Sequence, residues 1–219
     1  MYELTLTFDN GPEPDVTPRV LDILGERKIK ATFFVIGEKI VDPERRKLAE
    51  RAHREGHWIG NHTFTHSVPL GEQSGPDTAD SEIRRTQDAI GELAHPQRWF
   101  RPFGGGGNLD KRLLKPSVVD HLAREKHSCV LWNSIPRDWD DPDGWTERAL
   151  DQCSRQSWTL MVLHDLPTGA MDHLERFLDR VAAAGASFRQ DFPPPCVPIR
   201  NGAIALPIDD YVSSIEESV

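Results

Sequence analysis

Two histidines four residues apart are the first sign of chemistry in this chain. His62 and His66 enclose Thr63-Phe64-Thr65, and on a helical turn this spacing places both imidazoles on one face. Two imidazoles on one face can bind the same divalent metal ion. The same spacing also occurs in ordinary surface helices, so a metal site needs a third ligand from elsewhere in the chain.

The pair Asp9-Asn10 could supply that ligand. Residues 4–8 alternate as a β-strand does, and the alternation ends on a carboxylate, an amide and the turn Gly11-Pro12. A strand end is rigid and the turn exposes it, so these side chains would be held ready for chemistry. Active sites collect at the carboxyl ends of parallel strands, and we therefore expect Asn10 to lie beside the two histidines.

Three further polar groups follow predicted strands. Arg101 precedes Pro102, which has no N–H, so Phe103 is the first residue of that turn whose backbone donor can face a developing oxyanion. Asp138 follows the apolar run that ends at Trp132, and His164 comes at the end of the run that begins near Thr159. Each residue alone is more often structural than catalytic. Together, however, these strand ends would deliver acidic, basic and imidazole groups to one face.

Apolar runs alternate with amphipathic stretches along the chain, as in parallel strands joined by crossover helices. Strands are predicted at residues 3–8, 31–36, 57–60, 99–101, 128–132 and 159–163. Helices are predicted from a cap at Asp42 to Gly56, and over residues 80–93, 109–126, 143–155 and 172–184, with Pro116 kinking or restarting the helix in 109–126. We expect an α/β fold, a deformed (β/α) barrel of about seven parallel strands with outer helices and the active site at the strand carboxyl ends. The chain is predicted to be a single domain, 1–219, in which the Pro-rich tail, 188–219, forms an extended strap.

The amino-acid composition limits the classes of partner and substrate that this chain could bind. The formal net charge is −9 and no long basic block occurs, which argues against nucleic acid and favours a small uncharged or cationic substrate. Three widely spaced cysteines indicate neither a disulfide framework nor a thiolate metal site. No apolar run approaches the roughly 20 residues of a membrane helix. The first residues enter a strand without a secretory signal, so a cytoplasmic location is expected. The sequence leaves the oligomeric state open.

The combination resembles the polysaccharide deacetylases, the nodulation-type or family-four carbohydrate esterases. The motifs of that family are Thr-Phe-Asp-Asp-Gly-Pro, His-Ser/Thr-x-x-His, Arg-x-Pro-Tyr/Phe-Gly, Asp-x-x-Asp-Trp and Leu-x-His. This chain carries similar residues in the same order, at 7–12, 62–66, 101–104, 138–139 and 163–164, and residues 31–37 resemble the second strand of the family. The resemblance covers about residues 3–184 and leaves out the Pro-rich tail.

The resemblance implies a role for each matched residue. His62 and His66 would bind a divalent metal, usually zinc, with cobalt and nickel as alternatives, and Asn10 would occupy the third ligand position. Asp9 would be the general base that accepts a proton from the attacking water. Arg101 would keep that base as a carboxylate.

The remaining roles concern the leaving group and the acyl group. His164 would be the general acid that protonates the departing amine, and Asp138 would keep it charged and oriented. The N–H of Phe103 would stabilise the oxyanion together with the metal. Trp139 and Leu163 would shape a pocket for a small acyl group.

The chain departs from the family pattern at three places. Asn10 stands where most members have a carboxylate, which removes one negative charge from the metal ligands and should weaken metal binding while leaving the metal more electrophilic. Residues 104–107 form a glycine-rich, shortened third motif that leaves the shape of the groove undefined. Asn133 lies near the position of the first Asp of the fourth motif and should change the surrounding hydrogen bonds more than the reaction.

Three functional hypotheses follow. The first is a metal-dependent hydrolase that removes an N-acetyl group from an amino sugar in an oligosaccharide or precursor glycan. The second is a hydrolase of another C–N bond, in a cyclic amide or ureide. The third is a catalytically silent carbohydrate-binding protein that lost its metal through Asn10. Substrate panels distinguish the first two, and metal analysis identifies the third.

Overall fold

A curled sheet brings the carboxyl ends of its strands to one rim. The computed structural model describes residues 2–214, and within that range the sheet has nine strands. These are β1 Tyr2–Asp9, β2 Thr32–Val35, β3 Trp58–Asn61, β4 Trp99–Phe100, β5 Ser128–Cys129, β6 Trp158–His164, β7 Ala186–Arg189, β8 Ile199–Arg200 and β9 Ala203–Ile204. The strand order is β6-β1-β2-β3-β4-β5-β8-β9, and β7 also pairs with β1. All ladders among β1 to β7 are parallel.

Helices connect the strands and cover the outer face of the sheet. They are α1 Thr17–Glu26, α2 Gly37–Ile40, α3 Pro43–Arg54, α4 Arg85–Ile90, α5 Pro116–Arg124, α6 Trp145–Ser154 and α7 Leu174–Ala183, with a π-helical turn, Asp80–Arg84, directly before α4. None of the helices found in residues 2–214 has both the length and the apolar character that a membrane span requires.

The alternation in β1 explains which side chains face the site. Leu4, Leu6 and Phe8 are buried in the large cluster that the sheet forms with the outer helices. Thr5 and Thr7 occupy the opposite face and are also fully buried. Asp9 continues this threonine row at the end of the strand, so its carboxylate points into the curl of the sheet rather than toward the helices.

The sheet curls far enough for its edges to meet. Beyond β5, Ser134 forms a parallel bridge with Met161 of β6, and the Val162 N–H donates to the Ser134 carbonyl at 3.0 Å. On the other side, β8 runs antiparallel to β5 and to β9. The predicted deformed barrel with outer helices is therefore confirmed, with an added antiparallel hairpin.

The helix boundaries differ most from the sequence prediction in the stretch 109–126, where only residues 116–124 are helical. Pro116 starts the helix, as one of the two predicted alternatives had it, and Lys115 before it is extended, with φ −129° and ψ 164°. α1 and α2 were not predicted.

The tail was predicted as an extended strap beginning at residue 188. In the structure β7 ends at Arg189, a 3₁₀ turn follows at Pro194–Cys196, and the β8–β9 hairpin comes next. Phe192 is buried against Phe34 and Trp99 at the opposite end of the barrel from the site. The single-domain prediction for 1–219 stays a prediction, and residues 1 and 215–219 lie outside the described range.

The start of α3 supports the turn that follows β1. The Asp42 carboxylate caps the helix by accepting hydrogen bonds from the Glu44 and Arg45 N–H groups, both at 3.0 Å. Arg45, on this first turn, donates to the Pro12 carbonyl at 2.6 Å and forms an ion pair with Glu13 at 2.7 Å. The cap therefore helps to place Arg45 against the turn that carries Asn10.

Replacing Asp42 by Ala should lower the free energy of unfolding by about 1 kcal/mol, because two N–H groups at the helix start lose their acceptor. Asp42→Asn keeps an acceptor oxygen and should retain most of the stability. Urea unfolding of the three proteins measures the difference. Equal midpoints for wild type and Asp42→Ala would show that the cap does not stabilise the fold.

Candidate active site

The carboxyl-end rim of the barrel encloses a cavity of about 210 Å³. Seven of the residues predicted from the sequence line it: Asp9, Asn10, His62, His66, Phe103, Trp139 and His164. Arg101 and Asp138 lie behind this wall with no exposed surface. The structure thus brings nine of the ten predicted side chains together, while their catalytic roles stay predictions.

Asp9 is held by an arginine that reaches it across the interior of the barrel. Arg101 Nη1 donates to Asp9 Oδ1 at 2.9 Å and to Thr7 Oγ1 at 2.6 Å. The guanidinium carbon lies 4.2 Å from the centre of the Phe34 ring, a cation–π distance. A buried carboxylate requires such a partner, since an unpaired charge in the interior is strongly destabilising.

The remaining donors of Arg101 are bound to the chain that follows β5. Nε donates to the Val130 carbonyl and Nη2 to the Leu131 carbonyl, both at 3.3 Å. The sequence analysis did not predict Thr7 as a hydrogen-bond partner of Arg101. The strand pattern does place Thr5, Thr7 and Asp9 on one face, so Thr7 could have been expected near Asp9.

The two histidines that flank the loop at 63–65 lie next to one another. Their ring centres are 4.7 Å apart, and the Phe103 ring is 4.0 Å from the ring of His66. His62 Nδ1 is 2.8 Å from the Arg101 carbonyl, which leaves Nε2 near Asp9 Oδ2 at 3.6 Å. Burial lowers the pKa of His62 to about 3 and that of His66 to about 2. Both rings are therefore neutral at physiological pH, the form in which an imidazole binds metal.

Asn10 adopts a left-handed backbone conformation, with φ +74°, in the turn after β1. The Lys39 ammonium donates to its carbonyl at 2.7 Å. On the inner side, the Asp165 carboxylate packs so closely on Gly11 that a Cβ there would lie 2.3 Å from Asp165 Oδ1. Asp165 also bonds to Thr17, and burial raises its pKa to about 7. The turn is thus fixed from both sides.

The donor set fits a divalent cation with neutral ligands. Asn10 Oδ1 is buried and has no hydrogen-bond partner among the described residues, although an amide oxygen in the interior normally has one. His62 is oriented through Nδ1 by a carbonyl, as metal-bound histidines usually are. Within residues 2–214, no three His, Cys, Asp or Glu side chains form a metal-binding group. Asn10 lines the same cavity as both imidazoles, and its role as a third protein donor stays a prediction.

His164 and Asp138 form a second buried pair. His164 Nδ1 is 2.8 Å from Asp138 Oδ1, and the His164 N–H donates to Asp138 Oδ2, also at 2.8 Å. Burial by itself lowers the pKa of His164, but the Asp138 carboxylate more than offsets this, so the pKa is raised. His164 pairs in register with Asp9 across β6 and β1, which places the imidazole beside the carboxylate at the same rim.

Leu163 is the one predicted site residue that faces away from the cavity. It lies in the outer core with Phe8 and Trp145 and has no exposed surface. Side chains alternate along a strand, so a residue next to His164 must point to the other side. Val162 takes the place expected for Leu163 and lines the cavity. Trp139 lies as predicted, with its ring edge-on to His164 at 4.8 Å.

The glycine-rich segment forms an ordered wall of the cavity. A Cβ on Gly104 would lie 2.6 Å from the Trp132 ring, and one on Gly107 would lie 2.5 Å from Ile135. Gly107 also has φ +81°, a conformation that other residues rarely adopt. Trp132 Nε1 donates to the Gly107 carbonyl at 3.3 Å. Pro102, Gly104, Gly106 and Gly107 line the cavity and belong to the third motif and glycine-rich segment of the sequence analysis. The cavity residues that the sequence analysis missed are Trp132, Ile135, Val162 and Leu166.

Replacing Arg101 by Met should lower the free energy of unfolding by about 3–5 kcal/mol, because Asp9 would then be a buried charge without a partner. The double variant Asp9→Asn/Arg101→Met removes that charge and should recover part of the loss. Urea unfolding of wild type, both single variants and the double variant measures the coupling. Strictly additive effects would show that the two side chains do not stabilise each other.

The chain is similar in sequence and in fold to known proteins. Residues 3–116 match the family model for polysaccharide deacetylase. A chitooligosaccharide deacetylase from Rhizobium leguminosarum bv. phaseoli is 40% identical over 167 residues, which cover 74% of this chain and 67% of that protein.

Two solved structures have the same fold. A family 4 carbohydrate esterase from Streptomyces lividans in complex with acetate superposes with a TM-score of 0.72 at 26% identity, covering 94% of this chain and 98% of the other. A family 4 acetyl xylan esterase from Clostridium thermocellum in complex with a cobalt ion gives a TM-score of 0.68 at 27% identity, covering 85% and 87%. The family match over more than half of the chain and the 40% identical relative show that the chain belongs to the polysaccharide deacetylase family.

Proposed function

We propose that this protein is a metal-dependent hydrolase that removes the acetyl group from an N-acetylated amino sugar in an oligosaccharide or precursor glycan. The observation that carries the proposal is the register of β1 and β6, which sets Asp9 beside His164 at the rim of a cavity lined by two neutral imidazoles. Amide hydrolysis needs a base for the water and an acid for the departing nitrogen, and the two residues suit these two roles.

Asp9 would accept the proton of the attacking water, and Arg101 holds its carboxylate in place through Oδ1. A divalent cation bound by His62, His66 and Asn10 would supply Lewis-acid polarisation of the amide carbonyl and lower the pKa of water. The N–H of Phe103 would donate to the oxygen as negative charge develops there. Zinc is the proposed cation, with cobalt and nickel as alternatives.

His164 would donate its proton to the departing amine. The neighbouring Asp138 raises the pKa of His164, so the imidazole keeps a proton to donate over a wider pH range. Asp138 also accepts the main-chain N–H of His164 and thereby fixes the orientation of the ring. The pair is thus suited to protonate a poor leaving group.

The lining of the cavity suits a small acyl group. Trp139, Val162 and Leu166 contribute apolar surface. A volume of about 210 Å³ is smaller than the roughly 300–1,000 Å³ of pockets that enclose drug-sized ligands. An acetamido group would enter while the sugar rings remain outside. Similarity to a chitooligosaccharide deacetylase supports this class of substrate. The cytoplasmic location expected from the sequence stays a prediction.

The direct test measures acetate release from N-acetylglucosamine and N-acetylmuramic acid oligomers, with zinc, cobalt or nickel added. We expect release from at least one of them, loss of release with a chelator, and strong loss in Asp9→Asn. A parallel panel of small cyclic amides examines the alternative C–N bond. Hydrolysis of a cyclic amide alone, or of no substrate in metal-loaded protein, would overturn the proposal.

Replacing Asn10 by Asp should raise affinity for the divalent cation on the order of tenfold or more, because a full negative charge is added at ligand distance. Calorimetric titration with Zn²⁺ or Co²⁺ measures the change. Gln73→Glu, which adds the same charge outside the cavity, is the matched control. Equal affinities of wild type and Asn10→Asp would show that residue 10 is not a ligand.

Replacing Asp138 by Asn should shift the alkaline limb of the pH–activity profile to lower pH. His164 must be protonated to act as an acid, so activity falls as the pH rises through its pKa, and removal of the carboxylate lowers that pKa. The Asn amide has only one oxygen, so its NH₂ group would face one of the two N–H donors of His164 and that hydrogen bond would be lost. The pH profile of kcat/KM tests this, with Asp140→Asn in the same loop as control. An unchanged alkaline limb would exclude His164 as the acid.

A further inference from the structure

A buried glutamate outside the cavity binds the loop between the two histidines. Glu82 lies on the π-helical turn Asp80–Arg84 and is only 5% exposed. Its Oε2 accepts hydrogen bonds from the Phe64 and Thr65 N–H groups, both at 2.9 Å. Its Oε1 accepts one from the Thr65 hydroxyl at 2.7 Å. Three charge-assisted bonds therefore join one carboxylate to the loop.

The backbone of this loop is unfavourable without external support. Thr63 has φ +67° and His66 has φ +51°, and left-handed conformations cost roughly 1–2 kcal/mol each for such residues. The N–H groups of residues 64 and 65 are donors that the loop does not satisfy with its own backbone, and Glu82 accepts both. The carboxylate thus compensates strain next to His66.

Neighbouring contacts hold the first half of the loop independently of Glu82. The Asn61 amide oxygen accepts the Thr63 N–H at 3.1 Å, and the Thr63 carbonyl accepts the Gly37 N–H at 2.9 Å. His62 itself is held by the Arg101 carbonyl. Glu82 contacts residues 64 and 65 instead, on the His66 side. The Glu38 N–H also donates to the Phe64 carbonyl at 3.0 Å, so loss of Glu82 should loosen His66, which follows Thr65, more than it loosens His62.

We propose that Glu82 is a positioning residue that sets His66 relative to His62 so that one divalent cation can bind both imidazoles. The proposal rests on the proposed metal-dependent function. It assigns to Glu82 hydrogen-bond acceptance rather than charge, because all three partners are N–H or O–H donors of the loop.

The variants Glu82→Gln and Glu82→Ala distinguish a role in hydrogen-bond acceptance from a role of the negative charge. A Gln side chain can accept both N–H groups with its oxygen, and the Thr65 hydroxyl can turn its proton toward Ser67, whose hydroxyl lies 2.7 Å away. We expect Glu82→Gln to retain affinity for Zn²⁺ and Co²⁺ within a few-fold. Glu82→Ala should lose on the order of 10–100-fold, the usual effect of removing a support of a metal ligand. Asp88→Ala, an exposed carboxylate on α4, is the matched control and should bind as wild type does.

The measurements are calorimetric titration with each metal, the visible spectrum of the Co²⁺ protein, and hydrogen exchange of the amides of residues 63–66. Glu82→Ala should show faster exchange at residues 64 and 65 and an altered Co²⁺ spectrum. Unchanged metal affinity and spectrum in folded Glu82→Ala would overturn the proposal, even if the variant is less stable. Equal losses in the Gln and Ala variants would also overturn it, since charge would then be the cause.

A milder variant covers the case in which Glu82→Ala does not fold. Thr65→Val removes the hydroxyl bonds to Glu82 and Ser67 but keeps both N–H bonds to Glu82. With Ser67→Ala as the control for the Ser67 contact, it should weaken metal binding a few-fold, and wild-type affinity in that variant would overturn the proposal. Failure of the proposed function is recognised separately, as absence of metal binding by the wild-type protein. In that case hydrogen exchange at residues 64 and 65 still decides whether Glu82 holds the loop.

Discussion

The buried ion pair of Arg101 and Asp9 connects the parts of this molecule that the site requires. The guanidinium binds the end of β1, two carbonyls after β5 and the ring of Phe34 in β2, while the main-chain carbonyl of Arg101 orients His62. Arg101 thus connects β1, β2, the chain after β5 and His62 after β3, and through β1 it holds Asp9. Desolvation of both charges is costly, and the dense set of partners around Arg101 compensates for it. The geometry of the site and the contact between β1 and the chain after β5 therefore depend on the same side chain.

The strand-end residues could be predicted because local signals agree with the topology. Asp9, Arg101 and His164 each come at or just after the end of an apolar run, and parallel strands bring such ends to one rim. The Asp42 cap likewise had its signature in the sequence. The alternation of side chains along a strand could also be read from the sequence. The prediction that Leu163 lines the cavity was wrong because neighbouring residues on a strand point to opposite faces, and His164 already points to the cavity.

Other features depend on contacts between distant residues and left no local signal. Glu82 meets the loop between the histidines only because a π-helical turn aims it there, and a single buried carboxylate in a charged stretch looks like any surface residue. Trp132 and Ile135 are cavity residues because the glycine segment packs against them. The four glycines left the shape of the groove undefined in the sequence, and in the structure Gly104 and Gly107 are sites of close packing. Contacts of this kind follow from the assembled barrel and not from periodicity or spacing.

The left-handed turn at Asn10 has a consequence for how this site can vary. Asparagine and aspartate are the side chains other than glycine that most readily adopt a positive φ, and here the carbonyl is already held by Lys39. Exchange of asparagine for aspartate at position 10 therefore replaces an amide by a carboxylate and adds one negative charge, while the backbone can keep its conformation. The conformation of the turn and the charge of the side chain at position 10 can therefore vary independently. Under the proposed metal-dependent function, this one substitution would change both the affinity for the cation and its polarising power while the turn keeps its conformation.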